Sequence, residues 1–93
     1  MPSVLDKRYI IMTSIRAYLE SGFSVCYYDH DEMRLKEISN QFDIVGKDKF
    51  LSLSYKPTGK SFKHYDITVA INPNLATYND WIVTSQVNVM LDL

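Results

Sequence analysis

Apolar residues recur at spacings of three and four near the start of the chain. Leu5, Ile11, Met12, Ile15, Tyr18 and Leu19, with Arg8 among them, fall on one side of a helix. Ser3-Val4-Leu5-Asp6 has the form of a capping box in which Ser3 is the N-cap. Gly22 stands where a left-handed residue ends a helix, and Phe23 follows it for the hydrophobic contact common at such ends. The pattern predicts a helix over about residues 4–21.

The period then shortens. Phe23-Ser24-Val25-Cys26-Tyr27-Tyr28 is rich in β-branched and aromatic residues and predicts a strand over 23–28. Strict alternation marks Leu51-Ser52-Leu53-Ser54-Tyr55 and Tyr65-Asp66-Ile67-Thr68-Val69-Ala70-Ile71, on either side of Lys56-Pro57-Thr58-Gly59-Lys60. Pro57 presets the φ of a turn and Gly59 accepts a positive φ, so the two runs predict a hairpin with strands over 49–55 and 61–71. Its packed face carries Leu51, Leu53, Tyr55, Tyr65, Ile67, Val69 and Ile71; its wet face carries Ser52, Ser54, His64, Asp66 and Thr68. From Trp81 to Leu91 the density of Ile, Val and Thr predicts a last strand over 81–91.

Asp29 to Phe42 supports two readings. As a strand, Met33 and Leu35 alternate with Arg34 and Lys36, and Asp29-His30-Asp31-Glu32 is a hairpin loop. As a helix, Asp31 is the cap, and Leu35, Ile38 and Phe42 line one side. Three apolar positions are a thin stripe, and the strand over 33–38 is preferred. The assembled expectation is one α+β domain over 1–93, an N-terminal helix packed on one face of a four- to five-stranded, mostly antiparallel sheet.

Ninety-three residues, 46% of them hydrophobic, can bury a core without metal or disulfide staples. The single Cys26 excludes an internal disulfide and suits a reducing compartment. Tyr9-Ile10-Ile11-Met12, the longest apolar run near the start, is too short for a signal-peptide core or a membrane span. The expectation is a cytoplasmic protein with no membrane partner.

A net charge of −1 neither draws the chain to nucleic acid nor repels it. The local balance differs, for residues 47–63 hold five lysines against Asp48 alone. Lys47, Lys49, Lys56, Lys60 and Lys63, with Phe62 and His64 as stacking groups, form the candidate nucleic-acid or partner contact.

Other chemistry finds no assembled motif. Thr58-Gly59-Lys60-Ser61 resembles the end of a phosphate-binding loop, but Ser54 stands where its first glycine belongs and a strand is expected after it. Asp29-His30-Asp31-Glu32 gathers ligand atoms in consecutive turn residues, which rarely converge on one metal, and no second cluster completes it. No spacing joins Cys26 or a serine to a histidine and a carboxylate. No catalytic, metal-binding or cofactor-binding residue is therefore named, and no cofactor is expected.

The last strand is the other candidate surface. Gln86-Val87-Asn88-Val89-Met90-Leu91 contains no lysine, proline or glycine, the residues that blunt a sheet edge. The leading expectation is a small non-enzymatic interaction domain, of adaptor or inhibitor type, that binds another protein and self-associates through this strand. Nucleic-acid binding through the lysine-rich hairpin is the alternative.

Overall fold

A computed structural model describes residues 4–42, 49–54, 65–73 and 87–93. Its elements are α1 (Val4–Glu20), β1 (Val25–Asp29), α2 (Glu32–Gln41), β2 (Phe50–Leu53), β3 (Ile67–Ile71) and β4 (Val87–Leu91).

Helix α1 follows its apolar stripe. Ile11, Ile15 and Leu19 are buried, Met12 and Tyr18 pack beside them, and Tyr9 and Ile10 face outward. It ends in a Schellman arrangement: Phe23 N–H donates to the Tyr18 carbonyl and Gly22 N–H to that of Leu19, both at 3.0 Å. Gly22 has φ 92°, a conformation open to glycine at little cost. The Ser3 cap lies outside the described residues.

The stretch after β1 is helical, which corrects the expected strand over 33–38. Asp31 has extended backbone (φ −78°, ψ 104°), and its carboxylate accepts from Met33 N–H at 3.1 Å and Arg34 N–H at 3.2 Å. These two bonds satisfy amides that the first turn leaves open. Ile38 and Phe42 are buried beneath the helix and Leu35 packs beside them, so the thin stripe is sufficient.

The sheet overturns the antiparallel expectation. Its four strands run in the order β2-β1-β3-β4, and every pairing is parallel. The runs 49–55 and 61–71 were expected to pair as hairpin arms, but β1 lies between β2 and β3. The expected turn Lys56–Lys60 lies outside the described residues. Parallel neighbours need a crossover connection, and α2 supplies the one from β1 to β2.

Burial accounts for the difference. Parallel sheets are covered on both faces, so their central strands are buried throughout. All five residues of β1 are buried, as are all five of β3. Thr68, expected on a wet face, is 1% exposed. One face carries Val25, Tyr27, Ile67, Val69 and Ile71 against Ile11, Ile15 and Leu19 of α1 and Ile38 and Phe42 of α2. On the other, Tyr28 and Ala70 pack with Leu53.

At the N-terminal end of the central strands, Ser24 and Asp66 lock β1 to β3. The Asp66 carboxylate accepts from Ser24 N–H at 3.0 Å and from the Ser24 hydroxyl at 3.2 Å, while the Asp66 amide donates back to that hydroxyl oxygen at 2.9 Å. Both connections that build the functional region leave from the opposite end.

Because Ile15 is fully buried between α1 and the sheet, Ile15→Ala is expected to cost about 2–5 kcal/mol. Tyr9→Ala, on the outer face of the same helix, should stay within about 0.5 kcal/mol. Urea unfolding of the two variants checks this, and equal losses would place the helix in the wrong rotation.

Candidate functional site

The C-terminal end of β1 delivers three polar residues in succession, Asp29, His30 and Asp31, and α2 adds Arg34 one turn later. Asp29 is the last residue of a buried strand and is itself fully buried. A carboxylate there must be compensated. Arg34 Nε donates to Asp29 Oδ2 at 2.5 Å and Arg34 Nη2 to Asp29 Oδ1 at 2.9 Å, a two-pronged pair. The Tyr27 hydroxyl donates to Asp29 Oδ2 at 2.5 Å, and the Asp31 amide to Asp29 Oδ1 at 2.9 Å. One carboxylate thus holds the strand, the turn and the helix.

The neighbouring ionisable groups respond as this packing requires. The hydrogen bonds to Asp29 push the Arg34 guanidinium above its ordinary pKa, so it stays charged. Burial, and then the bond to Asp29, hold the Tyr27 hydroxyl far above its usual range. Burial alone pushes the Cys26 thiol up to about 12, which removes the thiolate needed for nucleophilic or redox chemistry.

His30 turns outward. Its Nε2 lies 2.5 Å from the Tyr28 hydroxyl, and the two rings meet edge to face with centroids 4.8 Å apart. Asp31 is divided between two tasks: Oδ1 caps α2, while Oδ2 lies 3.6 Å from Arg34 Nη1. Across the sheet, Asn72 follows β3 with φ 47°, a left-handed conformation that asparagine accepts more readily than most residues. Its amide donates to the Leu91 carbonyl at 2.8 Å, and its Oδ1 accepts from Leu93 N–H at 2.8 Å.

These groups surround one cleft. It has a volume of about 430 Å³ and is lined by Asp29, His30, Asp31, Arg34, Ile71, Asn72 and Leu93. Its position follows from the strand order. From β1 the chain passes through α2 to β2 on one side, while β3 is followed by β4 on the other. Connections that diverge from two adjacent parallel strands leave a crevice beyond their C-terminal ends, the place where open α/β sheets hold ligands. A second hollow of about 250 Å³, lined by Arg16, Leu19, Glu20 and Gln41, lies away from this point.

The candidate residues chosen from sequence are distributed differently. Lys49 is exposed just before β2, and Lys47, Lys56, Lys60, Phe62, Lys63 and His64 lie outside the described residues. Val87 to Leu91 form β4, which occupies one end of the strand order; Gln86 lies outside the described residues. Among the described residues of these sets, Lys49 and Val87 to Leu91 do not line the cleft. Asp29-His30-Asp31-Glu32 had been singled out only as ligand-rich turn residues. Among the described residues, no three or more His, Cys, Asp or Glu side chains are grouped to hold a metal. The helical reading of Asp31–Phe42 was the signal that leads to the cleft, for a strand followed by a capped helix marks the end of a parallel strand.

Comparison with protein-family models, with curated proteins and with solved structures finds no match. Among the described residues, no helix is long and apolar enough to cross a membrane.

The buried pair generates a test. Arg34→Met leaves Asp29 without its countercharge in a closed site, with an expected loss of about 3–5 kcal/mol. Glu37→Ala breaks the half-exposed Arg8–Glu37 pair, whose atoms are 3.3 Å apart, and should cost at most about 1 kcal/mol. Chemical denaturation ranks the two; comparable losses would mean that Asp29 is less enclosed than described.

Proposed function

We propose that the protein is a binding domain that takes a small polar ligand in the crevice at the C-terminal ends of β1 and β3. One observation carries the reading: a cleft within the size range of small-molecule sites coincides with the topological switch point of a parallel sheet. Its lining supports the same view. Ile71 and Leu93 offer apolar surface, and Asp31, His30 and Asn72 offer hydrogen-bonding groups that are at least partly exposed. Asp29 and Arg34 belong to the frame, because each is the other's main partner. They hold the β1–α2 turn in one shape before a ligand arrives, which lowers the ordering cost of binding.

The test is an amide chemical-shift titration of the labelled protein with a panel of amino acids, amines, nucleotides and sugar phosphates. Saturable shifts are expected at His30, Asp31 and Asn72, with little change at Arg16 and Gln41 beside the second hollow. Shifts gathered at that hollow or along β4 would move the function elsewhere.

A second reading, pairing with another protein or another copy of this chain, draws on β4. Among the described strands it pairs only with β3, and Val87 and Met90 are each 49% exposed. Met90→Lys places a charge on that strand, a natural device against edge association. If β4 mediates self-association, light scattering should show an oligomer that the variant reduces to monomer. A parent protein that is monomeric at high concentration removes self-association from this reading.

A further inference from the structure

The chemistry of the cleft selects among ligand classes. Two features at the end of a parallel strand ordinarily draw an anion: the amides of the following helix and a nearby arginine. Here both are already occupied. The Asp31 carboxylate accepts from the Met33 and Arg34 amides, answering α2 with a negative charge from within the chain. Arg34 directs Nε and Nη2 at Asp29, and its side chain is only 10% exposed. The lining therefore holds two carboxylates, Asp29 and Asp31, against one guanidinium.

The accessible share of that charge belongs to Asp31. Its side chain is 47% exposed, whereas that of Asp29 is 1% exposed. Its Oδ2 stands 3.6 Å from Arg34 Nη1, beyond ordinary hydrogen-bond length, and so retains capacity to accept from a donor entering the cleft. Ile71 and Leu93 supply apolar surface beside it. A carboxylate next to an aliphatic wall matches a compact charged head on a short hydrocarbon stem.

Resting on the reading that the cleft binds a small molecule, we propose that its ligand is an organic amine, bound as the alkylammonium ion. The ammonium N–H groups donate to Asp31 Oδ2, and the alkyl stem lies along Ile71 and Leu93. Phosphates and other anions meet net negative charge and an already capped helix, and are refused.

The experiment titrates the intact chain with n-butylamine, with 1,5-diaminopentane, with inorganic phosphate and with adenosine monophosphate, following backbone amide shifts. The two amines should produce saturable shifts at His30, Asp31 and Asn72, and the two anions none. Asp31→Asn removes the charge yet keeps a side chain that caps a helix equally well, so the fold is retained. It should weaken amine binding by about fivefold, the range of a partly exposed ion pair. Amine binding unchanged by Asp31→Asn overturns the assignment. Phosphate or adenosine monophosphate shifting these amides while the amines do not overturns the ligand class and leaves the cleft standing. Shifts from none of the four probes overturn the amine assignment. If the wider panel also leaves the three amides unmoved, the cleft reading falls with it.

Discussion

Asp29 ends the central strand with a buried carboxylate, and Arg34 in the first turn of α2 neutralises it through two parallel hydrogen bonds. A charge in that position is costly in isolation, and the favourable state requires α2 to begin where it does. The pair therefore acts as a registration device, fixing how far β1 runs before the chain turns and how the next helix is rotated. Tyr27 and the Asp31 amide satisfy the remaining acceptor capacity of the carboxylate, so the group is compensated on all sides. The cleft inherits its shape from this arrangement, because His30 and Asp31 are carried on the turn that the pair fixes.

The topology follows from the same junction. A helix beginning directly after β1 makes a crossover, and a crossover returns the chain in the same direction to form β2 alongside. Once β1 holds β2 on one edge, β3 adds on the other, and the point of divergence lies between β1 and β3. α1 and α2 both supply the core on one face, through Ile11, Ile15 and Leu19 and through Ile38 and Phe42. The Ser24–Asp66 lock fixes the far end of β1 against β3, while at the crevice end Asp29 ties β1 to α2 and Asn72 ties β3 to the end of β4.

Local structure could be read from the sequence better than connectivity. Helix α1, its Gly22 terminus and the apolar runs of the strands each depend on neighbouring residues, and their patterns were plain. Strand direction depends on what lies between the strands. Ser52 and Ser54 gave the Leu51–Tyr55 run the look of a half-wet strand, and Thr68 did the same for β3, though it is buried. Alternation with small hydroxyl residues does not separate a half-exposed antiparallel strand from a parallel one covered on both sides, because serine and threonine are tolerated inside when bonded. Helix α2 was obscured by its surface, since Glu32, Lys36, Glu37 and Asn40 dilute a stripe of three apolar residues. On the strand reading, Asp29 lies in the hairpin loop and Arg34, five positions on, in the following strand, a spacing without meaning there. The cleft was hidden for the same reason, and its residues became related only when β1 and β3 were known to be neighbours.

The placement of Cys26 within β1, fully buried and with its thiol held protonated, ties oxidation to unfolding. Peroxide or a mixed disulfide reaches the sulfur only when the central strand opens, so an intact molecule is spared. A molecule caught open and oxidised carries a polar adduct that its own interior no longer accommodates. Damage at this position therefore strikes chains that have already come apart, and bars them from closing until the adduct is reduced.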